Sequence, residues 1–509
     1  MHRFPSISPA AALLVLACVD QPAGAASNEA SEDGNASETA SDTSEGPPRL
    51  LGDPELITYR TQPMVVDVEV TLDSPGESTL SHDTDPGIHV GAPTISDEGR
   101  THRFRVRGLA PETEHPMTLA IVGGDSHPLT VSTLPPLSGF RPNFALEVTT
   151  PDAIDPSYRM FDYAYTPLFS PTGIFVIDGA GVTRWYVGGP PAALGATAIW
   201  AGIALRDDGT VLGLRDGTII VLDELAQPLL QFAAADQGLA AFHHEVIELA
   251  NGNFLTLGNS FLEVDYPDEG SMLVAGDLLV EFDPSGEVVW TWDAFEHLDP
   301  QRRKADFGEG LGYLDPETGN YGYDWTHGNG MLQTPDDRIV LSMRHQDWVI
   351  AIEHASGEIV WRLGDEGDFA LTRGAWFHHQ HSPRLLPEGD LLIYDNDLQS
   401  GVPLADAHAR VVRYALDLDA MTAAQVWQDD AEPFVSSVAG DVEPMPTDNL
   451  LVLDSTLQPD PASYEVGKNF SRLRELDLDA SPMEVWSLTT QQGKFIYRAI
   501  PTTRLPGEG

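Results

Sequence analysis

Cysteine is nearly missing from this chain: Cys18 is the single one in 509 residues. An intrachain disulfide and a thiolate metal cluster are therefore excluded. Positive charge is scarce as well. Lysine occurs only at Lys304, Lys468 and Lys494, and 28 basic residues face 78 acidic ones, a formal net charge of -50. Such a surface repels nucleic acid and anionic lipid, so neither is an expected partner. It also repels small anions, although salt screens that repulsion within about 8 Å at physiological ionic strength. Any anion site here must be locally basic. The chain has no Gly-x-Ser-x-Gly elbow and no phosphate loop of the Gly-Lys-Ser type, so those hydrolase and nucleotide-binding signatures are absent. What is present is ample apolar material: 42% of residues are hydrophobic, enough for a large core and more than one domain.

Residues 1–17 read as an export signal, with His2-Arg3 followed by an apolar run from Ala10 to Ala17 that is too short to span a bilayer. Val15-Leu16-Ala17-Cys18 resembles a bacterial lipoprotein processing box, which implies cleavage before Cys18 and a lipid on its sulfur and amine. The other reading is a secretory signal cut near Ala23-Gly24-Ala25. Residues 18–50 form an acidic spacer with almost nothing to bury, and are expected to be a disordered tether. An exported periplasmic or cell-surface lipoprotein is the expected location.

Residues 51–137 change character. Met64 to Val70 and Thr101 to Val106 alternate apolar and polar, as half-buried strands do. Gly108-Leu109-Ala110-Pro111-Glu112-Thr113, followed by the run Met117 to Ile121, resembles a fibronectin type III sandwich, with His115 where that family usually has a corner tyrosine. No chemistry is legible in this segment. It reads as a spacer or a subunit contact, the latter implying a homodimer.

Residues 143–509 repeat a phrase: a turn, a β-rich run, then Gly-x-hydrophobic-hydrophobic-Trp. It ends at Trp185, Trp290 and Trp361, with weaker copies at Trp427 and Trp486. Strand, turn and Trp at fixed phase, without helical periodicity, predict a β-propeller with blades enlarged beyond the usual roughly 40–50 residues. Six blades are expected, the run from Phe495 to Ile500 returning to complete an early one. The segment Asp293 to Tyr323 stands out as a long insertion, expected over the channel mouth.

Asp324 to Gln346 reads as a hairpin turning at Pro335-Asp336-Asp337, which brings His327 and Arg344 to the same end. His244 lies eight residues before Gly252 and His381 eight before Gly389, while His327 lies ten before Asp337. Three consecutive blades thus offer a histidine at nearly one phase. In a propeller the innermost strands line the channel, so His244, His327 and His381 are expected to face one another, with Arg344 beside them and Asp395-Asn396 ending the strand after His381. His243, His378 and His379 flank the set. Histidines that merely pack between blades are the plainer reading, and three in phase with an arginine weigh against it. Three imidazoles suit zinc, but the adjacent arginine disfavours a cation; no metal and no cofactor are expected.

Phe242-His243-His244-Glu245, Asp324-Trp325-Thr326-His327-Gly328-Asn329, Ser342-Met343-Arg344-His345-Gln346, and Gln380-His381 followed by Ile393-Tyr394-Asp395-Asn396 resemble the bacterial aryl sulfate sulfotransferases. The similarity runs from about Asn143 to Arg498. It implies a six-bladed propeller behind an N-terminal β-domain, acting outside the cytoplasm. It also implies transfer of a sulfuryl group from a phenolic sulfate to a phenol without a nucleotide donor. By motif position His381 is the histidine that becomes sulfated, and Arg344, His327 and His244 are its companions. This sequence departs from the family in having no disulfide, in Ser382-Pro383 after the key histidine, and in its tether. Two other classes stay open: a non-catalytic surface propeller binding a glycan or protein, and a quinone-cofactor dehydrogenase, whose blades also repeat Trp.

Overall fold

The computed structural model describes residues 46–82, 85–136, 143–165, 172–188, 199–239, 241–304, 312–399, 402–429, 431–459, 467–480 and 483–509. The export signal, Cys18 and the spacer up to residue 45 lie outside them. Pro47–Gly509 forms one compact unit.

The described residues are nearly all β, because runs of Val, Ile, Leu and aromatic residues alternate with Asp- and Gly-bearing turns. Two sheets come first. One carries Glu55–Thr58, Val66–Thr71 and Thr101–Arg107 with two short strands; the other carries Ser78–Ser81, Glu114–Ile121 and Ser126–Ser132. Their inward residues, among them Val68, Phe104, Leu119 and Val131, share one buried cluster. At the predicted corner, the Nε2–H of His115 donates to the carbonyl of Ala110, 3.0 Å away. A histidine thus makes the backward bond that a corner tyrosine makes in sandwich domains.

Among the described residues six further sheets follow, each built on strands that pair antiparallel with their neighbours in the chain, some with an added strand from elsewhere. The first pairs Tyr158–Tyr165 with Gly173–Ile177 on one side and with the C-terminal strand Ala499–Thr502 on the other, Phe161 opposite Ala499. The last pairs Glu484–Thr489 with Ala145–Val148 from the start of this region. The chain ends are thus stitched into one another's sheets. The innermost strands of the six sheets are Ala499–Thr502, Trp200–Leu205, His243–Glu248, Gly328–Gln333, His381–Leu385 and Asp441–Pro444. Each touches the next, and the last touches the first. The approach is close. A Cβ on Gly202 would sit 2.3 Å from the amide nitrogen of Val246, and its φ of +54° suits only glycine well.

Neighbouring sheets are locked by tryptophans on the outer strands. The indole N–H of Trp185 donates to Glu224 O, that of Trp292 to Gly357 O and that of Trp486 to Gly179 O, at 2.8–2.9 Å. In the third of these sheets the locking residue is Trp292; Trp290, which carries the repeat phrase, instead meets His354 edge-on. The long insertion begins with a four-residue helix, Ala294–His297, capped by Asp293. It returns through Tyr313–Leu314 and Tyr321–Asp324, the latter running parallel to Gly270–Phe282. Among the described residues no helix is long and apolar enough to cross a membrane.

Candidate active site

Three inner strands break regular pairing where their histidines sit. Register shifts fall between His243 and Val246, between Gly328 and Gly330, and between His381 and Arg384. The backbone enters the left-handed region at His244 (φ 59°), His327 (φ 53°) and Ser382 (φ 48°). Bulges re-aim side chains out of the pleat, and non-glycine residues at positive φ are held there only by their surroundings. The hairpin of Trp325 to Gln346 supplies such surroundings. Trp325 is fully buried, stacks on Phe295 at 5.0 Å and donates to Arg302 O, while the Gln346 amide donates to Trp325 O at 2.6 Å. The backbone N–H of Arg344 donates to His327 O at 3.1 Å, so the two ends of the hairpin meet.

The rings of His244 and His327 lie 4.6 Å apart. His381 and Arg344 act electrostatically on both. The four sequence-predicted residues are therefore gathered at the same ends of adjoining inner strands. His244 and His327 line a cavity of about 790 Å³, together with Tyr313, Tyr497, Asp324 and an apolar wall that includes Ile199, Leu214 and Phe242. His381 and Arg344 are not part of that lining.

The hydrogen bonds decide the tautomers. Asn396 donates through Nδ2 to Ser436 O and Ala439 O, at 2.8 and 2.9 Å. Its Oδ1 is thereby turned to His381 and accepts from Nδ1–H at 2.7 Å. The lone pair of His381 is left on Nε2. His327 donates its Nδ1–H to the Asp324 carboxylate at 2.5 Å. His244 donates its Nδ1–H to Nδ1 of His243 at 2.8 Å, because His243 uses its own Nε2–H on Gly258 O. No described residue bonds the Nε2 of His244, His327 or His381. All three imidazoles present the same bare nitrogen.

Burial and charge keep them neutral. Burial, and then Arg344, lowers His381 to about 3. Burial, followed by the pull of the neighbouring imidazoles and Arg344, holds His244 and His327 well below the ordinary 6.5. His327 thus differs from the imidazolium expected of an anion holder: before an anion enters, Arg344 is the permanent cation beside these rings. The side chain of His327 keeps 22% of its surface exposed, enough for contact with a ligand.

Several further residues take part to which the motifs alone assign no role. Asp324 directs His327, and His345 donates to Asp324 O and sits 4.6 Å from the His327 ring. Asp324, His327 and His345 lie close enough to hold a metal ion, but the carboxylate is already committed to His327 and Arg344 repels any cation there. Tyr313 packs on His243 at 5.0 Å. His378 and His379 are tied elsewhere: the His378 amide donates to Asp395, and His379 lies 3.4 Å from Asp347. Of the three flanking histidines, His243 bonds directly to one of the predicted four.

Comparisons with known proteins point to one family. The family model for arylsulfotransferase (ASST) matches residues 152–498. An arylsulfate sulfotransferase of Escherichia coli O6:H1 is 25% identical over 324 residues, 50% of this chain and 52% of that protein. One of Lelliottia amnigena is 23% identical over 395 residues, 64% of each. The chain thus spans about half to just under two thirds of those relatives' length. A solved protein of unknown function from Bacteroides caccae superposes with a TM-score of 0.42 at 15% identity, over 69% of this chain and 100% of that one. With the match spanning more than half of its residues, this chain belongs to the arylsulfotransferase (ASST) family.

Proposed function

We propose that this chain is an aryl sulfate sulfotransferase working by two displacements through a sulfated His381. The observation that carries the reading is the bare Nε2 of His381, whose Nδ1–H is fixed by an Asn396 amide that is itself fixed by two carbonyls. A neutral imidazole is a good nucleophile and a tolerable leaving group, so two easy steps replace a hard one. In the first, the Nε2–S bond forms and the S–O bond to the donor phenol breaks. The departing oxygen takes a proton from His244, which gains it when the anionic donor enters; a nearby negative charge favours the imidazolium. In the second, a phenol gives its proton to Nε2 of His244. Its oxygen bonds to sulfur, and the S–N electron pair returns to His381. Arg344 holds the sulfuryl oxygens throughout, a role with precedent in transfer of anionic groups. His327 joins it once protonated. Phenolic sulfates and phenols are the substrates, with no nucleotide donor.

The scaffold of this reading is a six-bladed propeller over residues 143–509, behind a fibronectin type III-like sandwich over residues 51–137. The closed cycle of inner strands and the bond from His115 to Ala110 support both assignments. An export signal over residues 1–17, a lipid on Cys18 and a tether to residue 50 would place the enzyme in the periplasm or at the cell surface. Recovery of a lipid-modified Cys18 from the membrane fraction tests that part.

The test of the chemistry is a single-turnover incubation with 4-nitrophenyl sulfate. A gain of about 80 Da, the transferred SO₃, is expected on the peptide containing His381. An adduct on another residue, or release of 4-nitrophenol by His381→Asn at the wild-type rate, would overturn the covalent step.

A further inference from the structure

Behind the three imidazoles stands a second tier that motif comparison does not assign. His243 has 8% of its side chain exposed and uses both ring nitrogens. Its Nε2–H donates to Gly258 O at 3.2 Å, and its Nδ1 accepts from His244. Tyr313 covers one face of the ring. Asp277 lies beyond, with Oδ1 3.8 Å from Nε2 of His243. That carboxylate is buried, and its Oδ2 accepts from the Gly328 N–H at 2.6 Å, one residue past His327. Its Oδ1 has no hydrogen bond among the described residues.

We propose that His243 is a positioning residue for sulfuryl transfer: bonded to Gly258 O and flanked by Asp277, it holds His244 in the tautomer whose lone pair lies on Nε2. The inference rests on His244 being the proton-transfer group. An imidazole with no partner on Nδ1 populates both neutral tautomers, and one of them carries its proton on Nε2. In that form His244 cannot accept the proton of an incoming phenol. A partner on the far nitrogen removes the wrong form, as such partners do for metal-bound histidines. His243 suits the task because its own tautomer is determined in turn: Gly258 O accepts and never donates. A histidine that served only for packing would gain nothing from facing two partners of opposite polarity.

The test replaces His243 in the full chain. His243→Gln can reproduce both bonds, its carbonyl oxygen accepting from His244 and its amide donating to Gly258 O. His243→Leu keeps similar bulk and makes neither. The expected result is a loss of kcat of about a hundredfold in His243→Leu, the lower end of what a positioned proton-transfer group contributes, with KM for the sulfate donor little changed. His243→Gln is expected to recover most of that loss. Nitrogen-15 spectra of labelled enzyme should show a single bare Nε2 on His244 in the wild type and the Gln variant, and mixed tautomers in the Leu variant. Should the Leu variant fail to fold, His243→Ala, which has no group to accept from His244, is expected to show the same defects. Wild-type turnover in the folded Leu or Ala variant, or an unchanged His244 spectrum there, would overturn the positioning role while leaving the sulfotransferase reading intact. A wild type that releases no phenol from any aryl sulfate would instead remove that reading, and this role with it.

Discussion

Two polar clusters lie along the same inner strands, one residue apart at their nearest, and they treat burial in opposite ways. His244 begins the first cluster; Glu245, the next residue, begins the second. The second is saturated. Arg498 pairs with Glu245 and sits 3.6 Å from Asp441, while Arg384 sits 3.5 Å from Asp441 and pairs with Glu443. Burial by itself pushes these arginines down, yet the facing carboxylates hold Arg498 well above its ordinary value. In the first cluster opposite charge is withheld from His244 and His381, and burial takes their protons away. At similar depth, paired charges persist and unpaired imidazoles become neutral. The bare nitrogens sit where pairing stops.

That contrast can be broken from either side, starting with the largest effect. His381→Asn should reduce turnover on the order of a millionfold, the scale of losing a nucleophile, and leave the melting temperature near wild type. Arg344→Met should cost about 2.7–4 kcal/mol in transition-state stabilisation, read as a fall in kcat/KM, again with little change in melting. Arg498→Met should show the reverse pattern. Stranding Glu245 without its paired cation should cost roughly 3–5 kcal/mol of folding stability by denaturant titration. The double variant Glu245→Leu/Arg498→Met should be less destabilised than Arg498→Met alone, because one stranded carboxylate has gone. If Arg344→Met unfolds the chain while Arg498→Met leaves it stable, the division between the clusters fails.

The smallest effect is in pH. His381 is lowered to about 3 in the fold and titrates near 6.5 when unfolded. The unfolded chain therefore takes up the proton first, and stability falls as pH drops from 6.5 towards 3; above 6.5 the group is neutral in both states and contributes no slope. His381→Asn removes this term. The melting temperature of the variant, measured against wild type, should gain steadily below pH 6.5 and stay level above it. A gap between the two that does not change with pH would mean that His381 is not held neutral.

Much of the site was legible in the chain because hairpins impose phase. His244, His327 and His381 stand at similar distances before their turns, and Arg344 closes the hairpin that His327 opens. Spacing alone carries that information, since a strand of given length ends where its turn dictates. Asp324 and His345 lay in the quoted motifs, but their roles depended on which way two bulged strands turned. Asp277 sits in the long strand Gly270–Phe282, where its neighbours give no hint that a carboxylate faces inward. Its Oδ2 accepts from the Gly328 N–H, which comes from another sheet. The return of the C-terminal strand was also foreseen, whereas the pairing of Ala145–Val148 with the last sheet was not.

The sequence by itself determined the β-rich character, the repeated strand-turn phrases, the scarcity of positive charge and the rank of candidate histidines, because local propensity and periodicity are written residue by residue. Only the tertiary structure decided which ring nitrogens carry protons. A tautomer depends on the partner across a few ångströms of space, and those partners (Asn396 for His381, Asp324 for His327, His243 for His244) are placed by bulges and sheet contacts that no single stretch of chain encodes.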